Sequence, residues 1–206
     1  MLDSSIRAVI FDFGGVLINI DYAATIQAFR DLGVDDTDIL YSQAQQSSLF
    51  DAIETGQISP QHFINRLLEL MPAGTSPNQV VAAWNAMILD VPKSSITLLE
   101  QLREEGRSIY LLSNTNALHI DLAYRRWKKV SEHRPEALFN HVYLSHEMGM
   151  RKPDPAIFTR VCLEQQLDPG STLFIDDSPQ HVEGAQKAGL KTIHLLPHMS
   201  LQAIFS

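Results

Sequence analysis

The chain has 206 residues, with 16 Lys plus Arg against 24 Asp plus Glu, which gives a formal net charge of −8 with histidine neutral. That length suits one domain, or one domain carrying a small second lobe. A hydrophobic content of 45% matches the globular average and argues against general disorder. The acidic balance argues against polyanionic partners, so neither nucleic acid nor a membrane surface is expected.

Cys162 is the single cysteine. An internal disulfide and a thiolate zinc site are therefore excluded, and a reducing compartment fits. The apolar stretch from Ala8 to Ile20 is interrupted by Asp12 and has neither a basic leader nor a cleavage pattern. No run reaches the ~18 apolar residues of a membrane span. The expected location is the cytoplasm.

The first element, Ile6–Phe11, is a short β-branched apolar run that ends at Asp12 and a Gly14-Gly15 pair. It reads as a buried parallel strand followed by a tight loop. From Asp21 to Leu89 the pattern changes to amphipathic helices at Ala23–Leu32, Asp36–Gln46, Pro60–Met71 and Pro77–Met87, punctuated by Gly33, Gly56, Pro60, Pro72 and Gly74. Beyond it, strands at Ser108–Leu112, His141–Leu144, Thr172–Ile175 and Lys191–Leu195 alternate with helices. These helices run from Lys93 to Glu105, after Asn116, from Asp154 to Gln166 with Pro155 at the first helical position, and from Pro179 to Ala188. This rhythm predicts an α/β fold: a Rossmann-like parallel sheet core with right-handed crossovers and an inserted all-helical cap. The core takes residues 1–20 and 90–206, and the cap takes 21–89.

In an open parallel sheet, ligands bind beyond the carboxyl ends of the strands. The polar residues at those ends are Asp12, the string Ser113-Asn114-Thr115-Asn116, the loop residues Arg151 and Lys152, and the pair Asp176-Asp177. Asp12, Asp176 and Asp177 bring three negative charges and Lys152 one positive charge. Two like charges ~4 Å apart repel by roughly 4 kcal/mol at an effective dielectric of ~20. A hard cation with oxygen ligands, such as Mg²⁺, would relieve that repulsion and bridge to phosphate. A phosphate dianion would then be held by the metal, Lys152, Ser113 and backbone N–H groups, with the Gly14-Gly15 loop allowing close approach.

Four motifs in this order resemble the haloacid dehalogenase superfamily: Val9-Ile-Phe-Asp12-Phe-Gly14-Gly-Val-Leu17, Leu111-Leu-Ser113-Asn114-Thr115-Asn116, Gly149-Met-Arg151-Lys152-Pro153-Asp154, and Phe174-Ile-Asp176-Asp177-Ser178 followed by Val182-Glu183-Gly184-Ala185. Within it, the Ser-Asn-Thr-Asn string before Leu118-His119, the Gly-Met-Arg-Lys-Pro string and the run Glu54–Phe63 look most similar to small α-D-glucose-1-phosphate phosphatases and the phosphatase domains of epoxide hydrolases. The resemblance implies an Mg²⁺-dependent phosphatase acting on a small phosphate ester, such as a hexose 1-phosphate, through an aspartyl-phosphate. By the same resemblance, Asp12 is the nucleophile, Ser113 and the Asn114 amide bind phosphoryl oxygens, and Lys152 neutralises charge. Asp12, the Gly14 carbonyl and Asp177 hold Mg²⁺, with Asp176 close by.

One position departs from the family pattern. The second aspartate that usually follows the nucleophile by two residues, as general acid and base, is Gly14 here. General acid–base help is worth ~10²–10⁴-fold. The residues weighed as replacements are Asp21, Tyr22, Glu54 and His62. The departure leaves two alternatives open: a 2-haloacid dehalogenase-type hydrolase, and a non-catalytic binding or regulatory protein of the same fold.

Each site residue also has a local reading. Asp12 can form a turn, Asp176-Asp177 can cap the following helix, Ser113 and Asn114 can stabilise a turn, and Lys152 can be solvated. The order of the motifs favours the site. The cluster Arg125-Arg126-Trp127-Lys128-Lys129 reads as a solvated helix face. His119 is the one histidine whose position after the second motif could face the site.

Overall fold

The computed structural model describes residues 5–34 and 48–205. The helix expected at Asp36–Gln46 lies outside the described residues. The strands are β1 (Ala8–Phe11), β2 (Ser108–Ser113), β3 (His141–Leu144), β4 (Thr172–Asp176) and β5 (Lys191–His194). They form one parallel sheet in the order β3-β2-β1-β4-β5. Every residue of β1 is buried, as befits a central strand covered on both faces.

The period-two alternation of the strands divides the core into two layers. Val9 and Phe11 of β1, Ile109 and Leu111 of β2, and Leu173 and Ile175 of β4 join one apolar cluster with Leu99, Leu102 and Trp127. The intervening residues Ala8, Ile10, Tyr110, Leu112 and Phe174 join the other, with Ile157, Phe158 and Val161. Registry then sets the chemistry. Phe11 lies opposite Leu111 on one side and Ile175 on the other, so Asp12, Ser113 and Asp176 emerge at one edge.

The helices between β1 and β2 are α1 (Tyr22–Asp31), α2 (Ser48–Glu54), α3 (Pro60–Leu68), α4 (Pro77–Asn85) and α5 (Lys93–Glu104). Then come α6 (Ala117–Trp127), α7 (Pro135–Leu138), α8 (Ser145–Met148), α9 (Pro155–Glu164) and α10 (Pro179–Lys187). Their starts follow their sequences. Ser59 and Ser76 cap α3 and α4 ahead of Pro60 and Pro77, and Gln79 completes a capping box with Ser76. Asn116 accepts from Leu118 N and His119 N at the start of α6, and Asp154 accepts from Ala156 N ahead of Pro155 in α9.

The segments at α1–α4 have a core of their own. Phe29, Phe50, Ile53, Phe63, Leu67, Val80 and Trp84 form a separate buried cluster. Two strands of connecting chain run side by side where this segment meets the sheet. Ile20 bridges to Ile88, Asn19 N donates to Asp90 O at 2.9 Å, and Asp21 N donates to Met87 O at 2.9 Å. No described helix is long and apolar enough to cross a membrane.

Three short helices were not expected from sequence. α2 has seven residues, and α7 and α8 have only four each, too few for periodicity to register. In the basic cluster, Trp127 is fully buried and donates to His133 O at 2.9 Å, while exposed Arg125 pairs with Asp121 at 2.8 Å.

Candidate active site

Beyond the carboxyl edge lies a cavity of about 440 Å³. Its sheet side is lined by Asp12, Gly14, Ser113, Asn114, Asp177 and His181, and its opposite side by Tyr22, Phe50, Glu54, Trp84 and Met87. Polar groups converging in an otherwise apolar cleft of this size are the expected form of a small-molecule site.

The floor is a buried charge cluster. Lys152 is fully buried and its Nζ donates to Asp12 Oδ1 and to Asp176 Oδ2, both at 2.7 Å. Its ammonium also lies 5.2 Å from the centre of the Phe174 ring. Burial alone would strip Lys152 of its proton, yet the two carboxylates hold it above the ordinary lysine value. Asp176 receives more support than Asp12. Ser178 N donates to its Oδ1 at 2.8 Å, and His181 Nδ1 lies 3.0 Å from both of its oxygens. Burial works to raise Asp176, but Lys152 and His181 outweigh it and hold the carboxyl at about 2. Burial first, and the charge of Asp176 next, push Asp12 above the ordinary carboxylate range.

Asp177 lines the cavity beside Asp12. Burial, then Asp12 and Asp176, raise it to about 7. The site thus holds more negative charge than its lysine neutralises. Gly15 has φ +71°, and a Cβ placed on it would overlap Asp177 Oδ2. The backbone there is open because that carboxylate oxygen needs the space. Asp12, Asp176 and His181 offer ligand atoms that lie within 4.8 Å of one another. The carboxylate oxygens of Asp12, Asp176 and Asp177, with their charge excess, fit a hard divalent cation, while His181 Nδ1 faces Asp176.

Asn114 is the mainstay of the lysine loop. Its Nδ2 donates to Lys152 O at 2.8 Å, and its Oδ1 accepts from Lys152 N at 2.9 Å. The side-chain amide is thereby committed to the Lys152 loop. Ser113 is buried at the end of β2 and lines the cavity. The next turn is braced by Ser145, whose Oγ accepts from Thr115 N at 2.9 Å and donates to Thr115 O at 3.0 Å.

Of the residues weighed as replacements for the missing acid, Tyr22 and Glu54 line the cavity. Asp21 is spent capping α1, where it accepts from Ala23 N. His62 is exposed on α3, and its backbone N–H is the group held by Ser59. His119 does line the cavity, but both ring nitrogens are engaged. Nδ1 lies 3.1 Å from Asn116 Nδ2, and Nε2 lies 3.1 Å from Trp84 O. That pattern makes Nε2 the donor and Nδ1 the acceptor, and burial lowers its pKa to about 4. His119 is a neutral wedge stacked on Trp84 at 4.6 Å, and Phe50 also stacks on that ring at 5.0 Å.

Two features were missed by sequence reasoning. His181 stands five residues after Asp176 on α10, and its spacing resembles no metal-binding string. In the sequence Arg151 reads only as a loop cation, whereas it pairs across to α2 with Asp51 and, at 3.2 Å, with Glu54. The one available signal for that pair was its opposite charge, which does not report proximity across about a hundred residues.

Similarity to known proteins agrees with this geometry. A D-ribitol-5-phosphate phosphatase of Bacteroides thetaiotaomicron is 30% identical over 91% of this chain and 90% of its own length. The crystal structure of the haloacid dehalogenase family enzyme BT-2542 from Bacteroides thetaiotaomicron, an aspartate-to-alanine variant in complex with magnesium and inorganic phosphate, superposes with a TM-score of 0.92. It is 34% identical, with 98% of this chain and 99% of that one covered. A haloacid dehalogenase-like hydrolase structure from Porphyromonas gingivalis superposes at 0.86, with 30% identity and 98% and 97% covered. Residues 6–189 match the family model for haloacid dehalogenase-like hydrolases, and the chain belongs to that family.

Proposed function

We propose that this protein is an Mg²⁺-dependent phosphatase of small phosphorylated metabolites, with phosphorylated polyols and sugars as its substrate class. The observation that carries the reading is the Asp12–Lys152–Asp176 cluster beneath a cavity that Asp177, Ser113 and Asn114 also line. Relatives named for D-ribitol-5-phosphate and glyceraldehyde 3-phosphate support the substrate class. The division into a core of residues 1–20 and 90–206 and a cap of 21–89 belongs to this proposal, with the cap closing the cavity over the ester.

Lys152 holds Oδ1 of Asp12, which leaves the other oxygen to attack phosphorus and form an aspartyl-phosphate. Ser113 and the backbone N–H of Asn114 bind phosphoryl oxygens, and Lys152 offsets the charge that gathers on them. Asp12, the Gly14 carbonyl and Asp177 would hold Mg²⁺, with Asp176 behind them. Bound there, the metal supplies charge neutralisation to the nucleophile and the phosphoryl group. Gly14 contributes no proton, so esters with better leaving groups are favoured, hexose 1-phosphates among them.

The test is turnover of D-ribitol 5-phosphate, glucose 1-phosphate and phenyl phosphate with Mg²⁺ and with excess chelator, alongside Asp12→Asn. Phosphate release that needs Mg²⁺ and is abolished by Asp12→Asn is expected. Release that survives chelation, or full turnover by Asp12→Asn, overturns the reading.

A further inference from the structure

The cavity has a second charged feature besides the lysine cluster. Glu54 closes α2 and lines the cavity from the side opposite the sheet, with a side chain only 12% exposed. Its Oε2 lies 3.2 Å from Arg151 Nη2, yet accepts no hydrogen bond among the described residues. Arg151 comes from the sheet side, from the loop that also delivers Lys152, and lines the same cavity. Asp51, one turn before Glu54, engages the other guanidinium nitrogen from outside the cavity.

This is an unusual place to leave an acceptor unsatisfied. A buried carboxylate oxygen with an ion-pair partner but no aligned hydrogen bond leaves part of its desolvation cost unreturned. Burial pushes the Glu54 carboxyl upward, and the guanidinium beside it acts in the opposite sense. A planar donor and a carboxylate acceptor side by side match two neighbouring hydroxyl groups, one accepting from Arg151 and the other donating to Glu54. The apolar surroundings of Phe50, Trp84 and Met87 suit the carbon chain that bears them.

We propose that Glu54 and Arg151 form the recognition site for a vicinal diol on the leaving group, so that the preferred substrates are phosphate monoesters of open-chain or cyclic polyols. The inference rests on the phosphatase reading above and deepens it. Glu54 acts as a specificity residue, holding the part of the ester remote from phosphorus. The chain position that replaces the missing acid at Gly14 is a separate matter.

The experiment compares kcat/KM for D-ribitol 5-phosphate with that for phenyl phosphate, which carries a phosphoryl group and no hydroxyls. In Glu54→Gln the ratio between the two esters is expected to fall about ten- to hundredfold, chiefly through KM, because a charged hydrogen bond is lost from one substrate alone. Calorimetric binding of ribitol itself should weaken in parallel. Asp51→Asn, which alters the outer face of Arg151 and lies outside the cavity, should leave the ratio in place. Thermal melts establish that each variant is folded, and Glu54→Asp provides a second variant if Glu54→Gln melts. An unchanged ratio in the folded variants, or an equal loss for both esters, overturns the proposal while the phosphatase reading stands. Hydrolysis of neither ester by the unmodified chain overturns both.

Discussion

Lys152 Nζ and Asp12 Oδ1 stand 2.7 Å apart in a place where the lysine side chain is wholly closed to solvent. The same ammonium is 2.7 Å from Asp176. Removing one member of a buried ion cluster leaves the others uncompensated, typically at ~3–5 kcal/mol. Lys152→Met should therefore lower the free energy of unfolding by about that amount, read by urea denaturation at neutral pH without divalent metal. Because the cation would relieve the two stranded carboxylates, added Mg²⁺ should restore part of the loss. A variant as stable as the unmodified chain would show that the cluster carries no such strain.

Gly15 has a more local role, and its consequence is measurable in metal binding. A methyl group there meets Asp177 Oδ2 on a backbone held at φ +71°. Gly15→Ala should cost roughly 1 kcal/mol of stability through the backbone alone. Displacing Asp177 should also weaken Mg²⁺ by at least about tenfold, in line with the loss of groups that orient a metal site. Titration calorimetry with Mg²⁺ decides it, and an unaltered affinity would exclude Asp177 from the metal site.

The fold and the charged floor were largely legible in the sequence, for different physical reasons. β1 is apolar in unbroken run because both of its faces are covered, and Asp12 is conspicuous because a charge ends that run. Ser113 and Asp176 end β2 and β4 in the same way, so parallel registry alone brings them to one edge. The cavity's other wall was less legible: Tyr22 and Glu54 stand among the candidates for the missing acid and line the cavity, but nothing in the pattern pairs Glu54 with Arg151. Glu54 is a polar residue at a helix end, indistinguishable in one dimension from a solvated carboxylate. Only packing brings it to Arg151. His119 shows the converse: its position suggested the site, but two hydrogen bonds and a stacked indole commit it to structure.

Asn114 offers a test of how the lysine is aimed. Its two hydrogen bonds to the Lys152 backbone, at 2.8 and 2.9 Å, tie the loop to the end of β2. At about 1 kcal/mol net for each bond, Asn114→Ala should lose roughly 2 kcal/mol of stability. Turnover should fall more than KM rises, since the group displaced neutralises charge in the reacting complex. Equal stability and unchanged kcat would remove Asn114 from any role in holding Lys152.

His119 makes stability depend on pH in a stated direction. Burial lowers its pKa from 6.5 to about 4, so the folded protein binds fewer protons there than the unfolded chain between those values. Stability therefore rises with pH across that window and is level above 6.5. The full depression is worth about 3 kcal/mol, lost progressively as pH falls from 6.5 towards 4. Burial raises Glu54, Asp12 and Asp177, and these carboxyls act in the opposite sense, contributing stability at low pH that is lost as pH rises. The histidine contribution is isolated by subtracting the urea-denaturation profile of His119→Gln, which retains a polar side chain between Asn116 and the Trp84 carbonyl without titrating. The difference between the two profiles should grow with pH from about 4 to 6.5 and then stop. A flat difference would mean that the His119 ring is protonated without cost, in conflict with its two hydrogen bonds and its place against Trp84.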